Sequence, residues 1–270
     1  MLSARWPALA ARSPRLRQVW RYRELLRGLV VRNLKVKYQR SLLGFVWTLV
    51  NPLLTVTILV LVFSHVVRIQ VPHYWAFLLS GYFVWNFMLQ TLNTGTWIFA
   101  EHSRLTRSVA FPSEILVFSA AGSRLIEFVA EISLIVVALA LGLHHGIPDS
   151  YILLPVLVLI QILMAVGLAL PIASLSVFYY DVYHALPIAL TSLFYLSPVF
   201  YPASLVPEAY RTLYFLNPIA SLLTLYHDVL YAGQWPSPVL LAGTMVQAAV
   251  VYAFGYAVFH RYAAVFAEIV

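Results

Sequence analysis

Arg124, Glu127 and Glu131 stand at offsets of three and seven, so a helix through this stretch carries all three side chains on one stripe. Charged groups in so apolar a neighbourhood must face protein, and Arg124 is spaced to pair with Glu127. The stripe is suited either to a structural ion pair between helices or to a relay of protons or substrate. A second charged group, Arg32, Lys35, Lys37 and Arg40, suits either a membrane anchor or the capture of a phosphate-bearing molecule at a headgroup boundary. A third is the polar interior segment from Glu101 to Glu114, which holds His102, Arg104, Arg107, Phe111 and Pro112. A plain connector needs only about 4–6 residues, so this longer segment is suited to docking a soluble partner. No comparable catalytic set exists. His65, His73, His144, His145 and Asp149 have no metal-ligand spacing, and no Gly-x-x-x-x-Gly-Lys-Ser/Thr phosphate loop occurs. With no cysteine, disulfides, thiolate metal sites and a cysteine nucleophile are excluded.

The elements that position these groups are read from charge and hydropathy. Ser41 to Val67 runs without an Asp, Glu, Lys or Arg, after a lead of 40 residues that carries eleven Lys and Arg against Glu24 alone. About 20 apolar residues cross a bilayer core of about 30 Å, and flanking cations hold their side of the first span in the cytoplasm. Further charge-free runs predict six transmembrane helices, over 46–66, 75–97, 118–143, 152–178, 184–201 and 239–259. An even count puts both termini in the cytoplasm. On that topology 14 of the 17 Lys and Arg lie inside, Arg68 and Arg211 outside, and Arg124 within a helix. A composition of 62% hydrophobic and 10% charged residues agrees with a membrane protein. The net charge of +7 belongs to the membrane flanks, which argues against nucleic acid as a partner.

Within the lead, Tyr22, Leu25, Leu26, Leu29, Val30, Leu34 and Tyr38 recur at helical spacing, which predicts an amphipathic helix in the membrane plane, its cations on lipid phosphates. The expected order is a basic N-terminus at 1–16, this interface helix within 17–45, and a six-span all-α domain over 46–270. Residues 201–233 break the pattern. Pro207 punctuates an apolar stretch, Asn217 and Pro218 read as N-cap and first helical residue, and Gly233 reads as a stop. Two helices near 205–215 and 218–231 are too short to cross, so a re-entrant pair within 202–233 is expected, either an outer gate or a peripheral cap. Spans two and five carry Trp85, Phe87, Phe194, Tyr195, Phe200 and Tyr201, which suit stacking on sugar faces or an interfacial belt.

The segment Arg32-Asn-Leu-Lys-Val-Lys-Tyr-Gln-Arg-Ser-Leu-Leu-Gly-Phe-Val-Trp-Thr-Leu-Val-Asn-Pro52, with Phe111-Pro-Ser-Glu114, Ser197-Pro-Val-Phe-Tyr201 and Leu216-Asn-Pro218, resembles the membrane subunit of ABC-2-type polysaccharide exporters. These are the O-antigen, capsule and teichoic acid export permeases of bacteria. The resemblance implies a homodimer in the inner membrane, driven by two copies of a separate ATPase subunit that holds ATP and Mg, this chain itself carrying no cofactor. It implies a lipid-linked glycan substrate and a coupling loop over 98–117. Asp181, in the short turn after span four, would be a second ATPase contact. The chain departs from the family's habit with Tyr180 and His227, each at a position where Arg is common, and with Val117 in place of Pro. The alternatives are an ABC-2 exporter of drugs or lipids, an ion-coupled carrier, for which no inverted repeat is evident, and a membrane-embedded transferase.

Overall fold

The computed structural model describes residues 21–39, 41–102 and 111–269, and every regular element among them is helical. Helix α1 (Arg23–Tyr38) carries Glu24 in its first turn and Lys35 and Lys37 in its last, a charge order that complements the helix dipole. Its buried Leu29, with Tyr22, Leu25 and Leu26, packs on a cluster that includes Ile98, Leu116 and Ala120. Helix α2 (Trp47–Leu61) continues through a π-turn (Val62–Val66) and exposes Leu54, Ile58, Leu61 and Val66. Helix α3 (Tyr74–Glu101) and helix α4 (Glu114–Gly142) follow. A 3₁₀ turn (Asp149–Leu153) then leads into helix α5 (Leu154–Phe178). Helix α6 (Asp181–Tyr195), helix α7 (Glu208–Tyr214), helix α8 (Pro218–Tyr226) with its π-turn (His227–Tyr231), and helix α9 (Pro238–Ile269) complete the order.

Four stretches among the described residues, Gly44–Val66, Glu114–Gly142, Asp149–Phe178 and Pro238–Tyr262, are long and apolar enough to cross a membrane. Helix α3 is long but more polar, and it lies at the centre, packed against α2, α4 and α5. Its buried serine and threonine hydroxyls are satisfied within the helix: Ser80 donates to the Phe77 carbonyl at 2.8 Å, Thr91 to Phe87 at 2.8 Å and Thr96 to Asn93 at 2.7 Å. Neighbouring helices therefore shelter a polarity that lipid would penalise.

Helix α6 ends at Tyr195, short of the expected end of span five at 201, and its 15 residues cover about 22 Å. Ser197-Pro198 explains the stop, since a proline lacks the N–H that would continue the helix and pushes the preceding residue out of helical geometry. Asn217 caps α8 as its sequence predicts, its Oδ1 accepting from the Ile219 N–H at 3.0 Å, and Pro218 is the first helical residue. The carbonyls freed at the end of α8 find side chains from the loop after α4 and the turn before α5. His144 Nε2 donates to Leu230 O at 2.9 Å, Tyr151 OH to the same oxygen at 3.1 Å, and Ser150 to Val229 O at 3.3 Å. Inside the bundle Tyr226 donates to Gln161 Oε1 at 2.6 Å, tying α8 to α5.

The tightest helix crossing joins α5 to α9. A Cβ on Gly167 would stand 2.7 Å from the Tyr252 backbone, and one on Gly255 would overlap the Gly167 carbonyl. Small residues let two helix backbones approach where lipid supplies no hydrophobic drive between helices. Gly167→Val and Gly255→Val should each destabilise the protein by about 1–3 kcal/mol through overpacking. Thermal unfolding in detergent micelles reads this as a lowered Tm, and an unchanged Tm would contradict the close crossing.

Candidate functional site

One carboxylate, Glu127 on α4, gathers donors from two helices. Arg124, one turn earlier, donates from Nη1 to Oε2 at 2.8 Å, and Lys37 near the end of α1 donates from Nζ to Oε1 at 2.7 Å. Tyr38 OH shares Oε1 and also meets the Thr48 hydroxyl of α2. Glu127 is 5% exposed, whereas the Lys37 side chain remains 39% exposed. Burial lowers the Lys37 pKa, Arg124 adds to that fall, and Glu127 opposes it. Of the two readings of the charged stripe, the geometry matches the structural pair between helices. Glu131, one turn further along α4, is also buried.

Beside this network a cavity of about 410 Å³ opens between α1, α3 and α4, lined by Asn33, Lys37, Asn93, Trp97, Glu101 and Arg124 among others. Arg124 and Lys37 bring donors matched to phosphate oxygens, the two amides can bond hydroxyls, and Trp97 offers an apolar face. His102 at the cavity edge is buried and bonds through Nδ1 to the Ile98 carbonyl at 3.0 Å. Ser123 donates to the Val30 carbonyl at 3.4 Å, a second tie between α4 and α1.

The structure separates the basic set. Arg32 and Lys35 are exposed on α1, Lys37 turns inward to Glu127, and Arg40 lies outside the described residues. Sequence reasoning missed the inward turn, yet Val30, Leu34 and Lys37 share a stripe at offsets of four and seven. The coupling set is divided as well. Glu101 is exposed at the end of α3, while Phe111 and Pro112 are half-buried, and Arg104 and Arg107 lie outside the described residues. Glu114 is buried in the first turn of α4, its Oε1 3.9 Å from His260 Nε2 of α9. Asp181 is exposed at the start of α6. Trp97 and Tyr183 rings lie 4.2 Å apart, which brings the end of α3 beside that start. Glu101 and Asp181 therefore belong to the same end of the bundle.

Of the aromatic set, Trp85 and Phe87 are each 3% exposed and pack inside the chain, against Phe194 at 5.6 Å and Phe128 at 5.2 Å respectively. Tyr195 is 60% exposed. Phe200 collects Phe63 at 5.0 Å, Phe194 at 5.5 Å and Tyr201 at 5.0 Å, and Tyr214 of α7 donates to Tyr201 OH at 3.2 Å. Pro207 is exposed just before α7, and Asn217 Nδ2 donates to Ser197 Oγ at 2.9 Å. Phe194, Tyr195, Phe200 and Tyr201 therefore form one aromatic junction, with Asn217 bracing the adjoining Ser197, whereas Pro207 stands exposed outside it and Trp85 and Phe87 belong to the core. Among the described residues no group of three or more His, Asp or Glu could hold a metal ion.

Removing one partner from a buried ion pair leaves a charge uncompensated, so Glu127→Ala should cost about 3 kcal/mol and loosen α1. Amide hydrogen exchange in nanodiscs should then quicken across 23–38 but not across α5. Equal protection of α1 in variant and parent would contradict the role given to Glu127.

The sequence pattern of the family described as ABC-2 type transporter matches residues 24–231, from the first turn of α1 to the last residue of the π-turn after α8. The chain is 32% identical over 225 residues to an O-antigen export system permease protein RfbA of Myxococcus xanthus, covering 82% of this chain and 85% of that one. Two proteins of the same description from Klebsiella pneumoniae are 26% and 24% identical over 213 residues, each match covering 78% of this chain and 81% of the relative. Matched over the whole stretch from the α1–α4 ion network to the capped helix α8, the chain belongs to the ABC-2 type transporter family.

Proposed function

We propose that this protein is the permease subunit of an ATP-driven exporter that moves a lipid-linked polysaccharide of the O-antigen kind out of the cytoplasm. The observation that carries the reading is its similarity, over 82% of its length, to an O-antigen export permease. On this reading α2, α3, α4, α5, α6 with the turn after it, and α9 are six crossings of a bacterial inner membrane. The cation-rich lead and both termini then face the cytoplasm, in line with the charge bias of the sequence. Two copies form the conduit, and two copies of a separate ATPase subunit hold ATP and Mg.

Each side chain then has a task. Arg32 and Lys35, exposed on α1, meet the lipid-borne phosphate, and the cleft holding Arg124 and Lys37 offers it further donors. Glu101, the loop that follows it and Asp181 dock the ATPase, because exposed charge at one end of the bundle suits a soluble partner. Glu114 acts differently. Its burial against α9 ties the loop's end to the bundle, so movement of the docked loop reaches α9. Tyr195, Phe200 and Tyr201 supply weak stacking surfaces to a moving glycan, and α7 and α8 close the outer end.

The test is reconstitution of the permease with its ATPase in vesicles, followed by ATP-dependent appearance of lipid-linked O-antigen on the far face. Reversing charge at Glu101, Arg104 and Arg107 should weaken ATPase co-purification by about tenfold or more, or ~1.4 kcal/mol, with export falling in parallel. Arg32→Gln with Lys35→Gln should raise the glycan concentration needed for half-maximal export while the ATPase stays bound. Full export by the first variant would remove the docking assignment, and unchanged concentration dependence in the second would return α1 to a plain anchor.

A further inference from the structure

A second cavity, of about 250 Å³, lies at the end of the bundle opposite α1, between the 202–204 segment and the end of α8. Its lining includes Asp228, Ser204, Tyr231, Pro202 and His227. His227 forms the inner wall. Its ring stacks on Phe77 with centroids 4.0 Å apart, and Nε2 lies where a Cβ on residue 81 would be only 2.6 Å away, so Gly81 is what admits the imidazole. Tyr231 commits its hydroxyl to the Pro72 carbonyl at 2.7 Å, which pins the ring, and Thr224 commits its own to Ala220 at 2.9 Å. Within this lining the Asp228 carboxylate and the Ser204 hydroxyl make no hydrogen bond to other described residues, and the buried Nε2 of His227 likewise has no partner among them.

A half-buried carboxylate facing a small cavity calls for donors from a ligand. Vicinal hydroxyls supply two at once, with Ser204 as a further partner, while the faces of Tyr231 and Pro202 suit the C–H side of a pyranose ring. A single carboxylate is a poor cage for a hard cation, which takes six or more oxygens. The volume lies below the roughly 300–1,000 Å³ of sites for drug-sized ligands, so it fits one sugar ring. We propose that this cavity is a monosaccharide-binding site on the exit side of the transporter, with Asp228 its principal anchor. The proposal rests on the glycan-export reading above and adds to it a specific resting place for one sugar residue of the polymer.

The chain has no cysteine, so Ala232→Cys at the exposed rim gives a single reporter thiol. Maleimide labelling in nanodiscs is timed with a panel of free hexoses, N-acetylhexosamines and deoxyhexoses, and with choline as a cationic control. At about twice its Kd, a bound sugar should slow labelling about threefold by mass action. Asp228→Asn should abolish that protection, and Ser204→Ala, on an exposed turn, should weaken it, with sugar-free labelling unchanged in both. No protection by any sugar overturns the proposal, as does protection that survives Asp228→Asn or protection by choline alone. Export by the parent protein is measured alongside. Lost or absent sugar protection with intact glycan export removes only this site, whereas a parent that exports no glycan removes the broader reading.

Discussion

A carboxylate inside an apolar helix bundle persists only if donors surround it, and the placement of α1 follows from that requirement at Glu127. Its two oxygens take Arg124 from its own helix and Lys37 and Tyr38 from α1, and Tyr38 passes the connection to Thr48 of α2. Four side chains from three helices thus fix where an otherwise surface-lying helix docks. With α1 held there, the cleft against α3 and α4 exists, Arg32 and Lys35 point away from the bundle, and Leu29 closes the core beneath.

The same logic of satisfied polar groups runs to the opposite end. Helices α7 and α8 are seven and nine residues long, and so expose many backbone groups for their size. Asn217 serves the start of α8, and His144, Tyr151 and Ser150 serve the carbonyls after it. Backbone of this kind endures near a membrane only where protein covers it, and here side chains from beyond α4 and before α5 provide the cover. The outer helices α2 and α9 expose aliphatic side chains such as Ile58 and Val250, while Ser80, Thr91 and Thr96 of α3 stay inside. Close backbone packing at Gly167 and Gly255 and polar bracing at both ends hold the helices together, while Glu101 and Asp181 stay exposed at one end of the bundle.

Much of this was legible from residue types whose physics is local. Charge-free runs gave the long helices, Asn217-Pro218 gave the start of α8, and the offset of three gave the Arg124–Glu127 pair. What escaped depends on contacts between distant segments. Lys37 reads as one more cation of a basic helix until Glu127, 90 residues away, draws it inward. Glu114 reads as loop charge, yet the return of α9 buries it. Trp85 and Phe87 have the composition of a sugar-stacking surface, but burial against Phe194 and Phe128 makes them core. The end of α6 was visible in Ser197-Pro198, where local proline chemistry outweighs the apolar run.

The most direct measurement is a double-mutant cycle on Lys37→Met and Glu127→Gln, read by unfolding in nanodiscs and by vesicle export. If the α1–α4 ion pair organises the cleft between α1, α3 and α4, the two substitutions are strongly non-additive, with a coupling energy of about 1–3 kcal/mol, and the double variant loses little more than either single one. Additive losses, with coupling within about 0.5 kcal/mol of zero, would contradict it.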